Sequence, residues 1–229
     1  MSDSSTPTVA PKAVLFDAYG TLFDVYSVGA LAERLFPGFG ERLSVGWRDK
    51  QIEYTRLVSM AGRRRSFRDL TRAGLRFAAE RLGLALTPEA EDRLMAQYQI
   101  LEPFAENGDV LAELKRRGVR SGILSNGDAD MLAELVANSG FADRLDPVLS
   151  VEATGRFKTD PATYALGPQA LQLPAGEILF VSSNCWDAIG ATWYGYQTLW
   201  VNRFGLPLDP LETQPARIGR SLREVLTFF

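Results

Sequence analysis

Three apolar runs in this chain are each followed by residues that can do chemistry. Asp17, Tyr19 and Thr21 come at the end of Lys12–Phe16. Ser125 and Asn126 close the run from Val119, and Ser182, Ser183, Asn184 and Asp187 end the run from Ile178. Lys158 stands in the loop before Pro161. A carboxylate can act as nucleophile or base, and an ammonium beside it favours its charged form. Hydroxyls and carboxamides can hold an oxygen in place. Singly, each group also has a plain structural reading: Asp17 as a turn cap, Ser125-Asn126-Gly127 as a turn, Lys158 as a surface lysine. Together, at successive strand ends, they favour a site.

Composition narrows that chemistry. The 229 residues contain no histidine, which removes Ser-His-Asp and Cys-His triads and His-ligated zinc. Any proton transfer falls to carboxylates, lysine or tyrosine. A net charge of -3 argues against a nucleic-acid partner. One cysteine, Cys185, forms no internal disulfide and gives no sign of an oxidising compartment. No apolar run approaches the ~20 residues needed to span a bilayer. A cytoplasmic protein without membrane attachment is expected. Residues 1–11, polar and without an apolar core, read as a disordered tail.

The elements that must position these groups follow from the same runs. Lys12–Phe16, Val119–Ser125, Ile178–Ser182 and Thr198–Val201 read as buried strands, with Pro147–Leu149 a weaker fifth. Helical patterns lie between them: Val110, Leu111 and Leu114 before Gly118, then Leu132, Leu135 and Val136, then a helix opened by Asp160-Pro161. Alternating strands and helices predict an α/β fold, a Rossmann-like doubly wound parallel sheet. Ligands of such sheets bind at the carboxyl ends of the strands. From Val25 to Ala105 no strand is evident. Helical spacing recurs instead at Tyr54, Leu57, Val58 and Ala61, at Leu70, Ala73, Phe77 and Ala78, and at Ala90, Leu94, Tyr98 and Leu101. A helical insertion is expected there. Arg63-Arg64-Arg65 reads as a solvated helix end or loop, the alternative being that it draws in an anionic substrate.

Asp17-Ala18-Tyr19-Gly20-Thr21-Leu22-Phe23-Asp24 resembles the opening motif of the haloacid dehalogenase superfamily. Ser125-Asn126-Gly127 resembles its second motif, Lys158 its third and Asp187 its fourth. Within the superfamily the chain resembles the L-2-haloacid dehalogenases. Trp47-Arg48, Gln51-Ile52-Glu53-Tyr54-Thr55, Ser182-Ser183-Asn184-Cys185-Trp186-Asp187 and Trp200-Val201-Asn202-Arg203 carry that likeness.

The resemblance implies a core domain of residues 12–24 and 106–229 and a helical cap domain of residues 25–105. It implies hydrolytic removal of halide from short L-2-haloalkanoic acids, giving D-2-hydroxy acids, and from haloacetates, giving glycolate. Asp17 would attack C2 and form an ester. Arg48 and Asn126 would contact the halide, with Phe67 and Trp186 as apolar walls and Tyr19 in the same pocket. Ser125 and Lys158 would hold the substrate carboxylate. Thr21, Ser182, Asn184, Tyr164 and Lys158 would hold the nucleophile and shape ester hydrolysis, with Asp187 helping to activate water. No cofactor and no metal are implied, and a homodimer is.

The second reading is a Mg-dependent phosphatase of the same superfamily, and the third a non-catalytic small-acid-binding protein on the same scaffold. Phosphatases carry a second Asp two positions after the nucleophile, as general acid for the leaving alcohol. Tyr19 stands there, and a halide leaves without a proton. Asp187 is also the only carboxylate of the fourth motif, a poor set for Mg²⁺. Three positions depart from the dehalogenase pattern. Asp49 stands where Gln is expected and reads as solvent-facing. Thr159 replaces Pro after Lys158, and Cys185 replaces a small residue and reads as packed.

Overall fold

Strand β1 (Ala13–Phe16) is apolar at every position and buried at every position, as a strand covered on both faces must be. The computed structural model describes residues 10–229, so most of the expected tail lies outside the described residues. Around β1 the chain builds a six-stranded sheet in the order β3-β2-β1-β4-β5-β6, with every pairing parallel. The strands are β2 (Arg120–Ser125), β3 (Val148–Ser150), β4 (Ile178–Ser182), β5 (Gln197–Val201) and β6 (Arg217–Gly219). Helices α5 (Asn107–Arg116), α6 (Ala129–Ser139), α7 (Pro161–Tyr164), α8 (Leu166–Leu171) and α9 (Cys185–Tyr194) connect them. The expected α/β doubly wound parallel sheet is the fold observed. β6 was not expected: Arg217 and Ile218 are exposed, so this short edge strand has no apolar run to announce it.

The sheet order places the site. β1 is central, with β2 on one side and β4 on the other, so the chain's winding reverses there. Phe16 pairs with Ile123 and Val181, and the Asp17 N–H bonds to the Val181 carbonyl at 2.9 Å. The ends of three strands therefore open into one crevice.

Between β1 and α5 the chain is helical: α1 (Gly29–Leu35), α2 (Gly40–Met60), α3 (Phe67–Arg81) and α4 (Pro88–Gln97), with isolated bridges from Tyr19 to Phe23 and from Phe23 to Pro103. Ser66 caps α3 through Asp69 N, and Thr87 caps α4 through Ala90 N with Pro88 in the first turn. α2 and α3 pack closely because residue 74 is glycine. A Cβ there would sit 3.1 Å from Gln51 N and 3.2 Å from the Trp47 carbonyl.

The buried face of α2 differs from the one its apolar residues predict. Leu43, Ser44, Trp47, Arg48, Gln51 and Thr55 face inward. Tyr54 and Val58 are half-buried, and Leu57 and Ala61 are exposed. Arg48 bonds to Gln51, Gln51 to Thr71, and Ser44 and Thr55 to carbonyls of their own helix, so the buried stripe is not the hydrophobic one. α3 buries Leu70 and Ala78 as expected but exposes Phe77, over whose ring the Lys50 ammonium lies at 4.3 Å. Ala90, Leu94, Tyr98 and Leu101 are all buried. Among the described residues no helix is long and apolar enough to cross a membrane.

Candidate active site

The turn after β1 aims Asp17 into the crevice. Gly20 takes a φ of +93°, which lets the chain fold back so that Gly20 N bonds to the Phe23 carbonyl at 2.7 Å. Asp17 is buried, and its two oxygens are differently engaged. Oδ2 accepts from Thr21 Oγ1 at 3.1 Å and from Asn184 Nδ2 at 2.9 Å. Among the described residues Oδ1 accepts only from Lys158 Nζ, at 3.2 Å. Thr21 is fixed in turn, because its Oγ1 accepts the Ser183 N–H at 2.8 Å. Ser182 Oγ accepts the Asn184 N–H at 3.1 Å, which shapes the loop that presents Asn184.

Behind Asp17 lies a buried charged chain. The Lys158 ammonium reaches Asp187 Oδ2 at 3.0 Å and lies 4.8 Å from the centre of the Phe180 ring. Tyr164 OH donates to Asp187 Oδ1 at 2.8 Å. Burial pushes the Asp187 carboxyl above the ordinary aspartate value, with the Lys158 charge opposing and the Asp17 charge adding to the rise. Burial, with Asp187 beside it, also holds the Tyr164 phenol well above its usual range, so it stays a donor.

α2 supplies the opposite wall. Arg48 Nη2 donates to the Tyr19 carbonyl at 3.0 Å and to Asn184 Oδ1 at 3.4 Å, and Nη1 donates to Gln51 Oε1 at 2.6 Å. Gln51 Nε2 donates to Thr71 Oγ1 at 2.6 Å, and Trp47 Nε1 to the Thr71 carbonyl at 2.7 Å. The guanidinium is thus oriented by a relay that begins on α3. Tyr19 packs its ring 5.1 Å from that of Phe67. Its buried hydroxyl meets no hydrogen-bond partner among the described residues.

These walls surround a small, tight pocket lined by Asp17, Tyr19, Arg48, Ile52, Thr55, Phe67, Ser125, Asn126, Asn184 and Trp186. All the residues expected to touch substrate or halide line it, Lys158 excepted. Lys158, Thr21, Tyr164, Ser182 and Asp187 lie behind the Asp17 carboxylate instead. Asn126 also accepts the Lys158 N–H through Oδ1 at 2.9 Å, and Ser125 Oγ accepts from Gly127 N at 3.2 Å. Asp49 is exposed, as its place on α2 next to Arg48 suggests. Cys185 is half-buried, and burial pushes its thiol up.

The sequence assigned no role to Gln51, Ile52, Thr55 or Thr71. Gln51 was within reach: three residues after Arg48 it shares that helix face. Among the described residues no group of three or more His, Cys, Asp or Glu side chains is arranged to hold a metal ion.

Residues 11–195 match the family model described as haloacid dehalogenase-like hydrolase. The chain belongs to that family. It is 43% identical over 218 residues to an (S)-2-haloacid dehalogenase of Pseudomonas sp. (strain YL), covering 95% of this chain and 94% of that one. The crystal structure of the L-2-haloacid dehalogenase RSc1362 superposes with a TM-score of 0.94 at 52% identity, covering 96% of this chain and 99% of that one. The L-2-haloacid dehalogenase from Xanthobacter autotrophicus with chloropropionic acid covalently bound superposes at 0.88, with 36% identity and 94% and 96% covered.

Proposed function

We propose that this protein hydrolyses the carbon–halogen bond of short (S)-2-haloalkanoic acids to the (R)-2-hydroxy acids, and of haloacetates to glycolate. The observation that carries the reading is a carboxylate set at the floor of a small pocket whose far wall is a buried, hydrogen-bonded guanidinium. A phosphatase reading lacks its general acid: the position two after Asp17 is Tyr19, whose phenol burial holds far above neutrality.

Oδ1 of Asp17, the oxygen with a single donor, attacks C2 from the side opposite the halogen. The C–X bond breaks with its electron pair on the halide, and C2 inverts. Arg48 and Asn126 face the charge that grows on the halogen, between the apolar walls of Phe67 and Trp186. Ser125 and backbone N–H groups of its loop hold the substrate carboxylate, and Lys158 offsets the approach of a second anion to Asp17.

Esterification leaves Oδ2 as the ester carbonyl oxygen. It already has two donors, Thr21 and Asn184. These stabilise the oxyanion when water attacks the carbonyl carbon of Asp17. Hydrolysis releases the hydroxy acid, regenerates the carboxylate and yields a proton. Asp187 is the remaining carboxylate able to take that proton. Both its oxygens are engaged, so it acts when its bond to Lys158 or Tyr164 gives way.

The chemistry is metal-independent in this reading, because the Lys158 ammonium fills the space between the two carboxylates. Residues 25–105 form the cap over a core of 12–24 and 106–229. Two copies associate in the cytoplasm, a pairing supported by Leu57 and Met60, exposed at 52% and 86% on α2. Light scattering after gel filtration tests the dimer.

The function is tested by halide release from both enantiomers of 2-chloropropionate in EDTA, alongside p-nitrophenyl phosphate with Mg²⁺. Release from the (S) acid alone is expected. Phosphate release with no halide release overturns the reading.

A further inference from the structure

Asp128 occupies the N-cap of α6, where an aspartate ordinarily bonds to its own helix. Its side chain makes no such bond. Its backbone still starts α6, since Leu132 N bonds to the Asp128 carbonyl at 3.0 Å. The carboxylate turns to a different helix. Oδ1 accepts the Phe67 N–H at 2.8 Å and Oδ2 accepts the Arg68 N–H at 2.8 Å. These are first-turn donors of α3, which have no partner within their own helix. Asp69 N is already taken by Ser66 Oγ at 3.0 Å. Asp128 therefore completes the cap of α3 from across the crevice, with a negative charge at the positive end of the helix. It is only 7% exposed, so little water competes for these bonds.

One end of this contact lines the pocket and the other is close in sequence to a residue that does. Asp128 lies two residues after Asn126, and the intervening Gly127 allows close packing: a Cβ there would lie 2.7 Å from Tyr19 Cε2. Phe67, whose N–H the carboxylate holds, presents its ring to Tyr19 and to the pocket. We propose that Asp128 is a positioning residue that fixes the Phe67 ring relative to the Ser125–Asn126 loop and so sets the enzyme's discrimination between halogens. This rests on the dehalogenase reading, in which Phe67 walls the halide. The physical reason is size: an apolar wall discriminates between chlorine, bromine and fluorine only if its distance from the halide contacts is fixed.

Asp128→Asn tests it. The carboxamide keeps the shape but has one oxygen, so either the Phe67 or the Arg68 N–H faces an NH₂ group. Hydrogen exchange at the start of α3 is expected to become about ten-fold faster, while β2 is unchanged. The ratio of kcat/KM for bromoacetate to that for chloroacetate is expected to shift by about three-fold or more. The exposed neighbour pair Arg68–Asp130 supplies the control, Asp130→Asn, which should leave that ratio as it is. Should Asp128→Asn not fold, Asp128→Ser keeps one acceptor and takes its place. Unchanged exchange overturns the coupling. Faster exchange with an unchanged halogen ratio overturns the positioning role. Absence of halide release by the wild type sinks the dehalogenase reading instead, and the exchange result then still decides whether Asp128 couples the two elements.

Discussion

Lys158 and Asp17 form a buried ion pair at 3.2 Å, and the same ammonium reaches Asp187 at 3.0 Å. One cation thus serves two carboxylates, with Lys158 and Asp187 side chains 0% exposed and Asp17 8%. Removing one partner of a buried pair costs about 3–5 kcal/mol, because the other charge is left without compensation. Lys158→Met is expected to lower unfolding free energy by about that amount and to remove halide release. Urea titration with a parallel activity assay checks both. A stable, active Lys158→Met protein would refute the role of the ammonium in holding the pair.

Asp17→Asn keeps the bonds to Thr21 and Asn184 possible but removes the nucleophile. Halide release is expected to fall by at least about 10⁴-fold. Asp187→Asn is expected to behave differently: ester forms, and hydrolysis stalls. Mixing it with (S)-2-chloropropionate should release one halide per site and leave Asp17 carrying a carboxyethyl ester, seen by peptide mass spectrometry. Sustained turnover by Asp187→Asn would remove Asp187 from the hydrolytic step.

The sheet and the catalytic floor were legible because runs such as Ala13–Phe16 and Ile178–Val181 are apolar throughout and end abruptly in polar residues. Asp17, Asn184 and Asp187 sit at the ends of those runs, where a parallel sheet delivers its ligands. The inner face of α2 was not legible in this way. Arg48, Gln51 and Thr55 are buried polar side chains, and hydrophobic spacing pointed to Tyr54, Leu57 and Val58 instead. Only three-dimensional pairing, Gln51 with Thr71 twenty residues on, explains how such a face is buried. Asp128 was hidden for a similar reason: an aspartate before a helix reads as that helix's cap, and nothing local shows that it serves α3. β6 depends on Leu199, Trp200 and Val201 for its pairing and carries almost no signal of its own.

In the proposed mechanism the acid side of the pH dependence follows from Asp187. Its carboxyl is raised by burial, and its ionised form is the one able to accept a proton. Activity is therefore expected to fall on the acid side at a pH above about 3.9, the ordinary aspartate value. For stability the direction is opposite. A raised carboxyl holds its proton more tightly in the folded chain, so this residue's contribution is full below the unfolded value and is lost as pH rises through the folded one. A kcat/KM profile of the wild type, against single-turnover ester formation by Asp187→Asn, checks the assignment. An acid limb at the same pH in both would place it elsewhere.

In the proposed reaction Arg48 acts through a fixed fork rather than through charge alone. Its guanidinium holds the Tyr19 carbonyl, Asn184 and Gln51 at once, and an ammonium offers no such planar geometry. Arg48→Lys is expected to keep the charge yet lose about 10²-fold or more in kcat/KM. Gln51 separates orientation from charge. Gln51→Ala leaves Arg48 in place but takes the acceptor from its Nη1 and the donor from Thr71, both buried. It is expected to cost about 1–3 kcal/mol in stability and about ten-fold in kcat/KM, with the conservative Gln51→Glu restoring the acceptor for Arg48 but not the donor to Thr71. Steady-state kinetics on the three variants, with urea unfolding of each, check this order. Full activity in Gln51→Ala would mean that the guanidinium needs no support from α3 to face the halide.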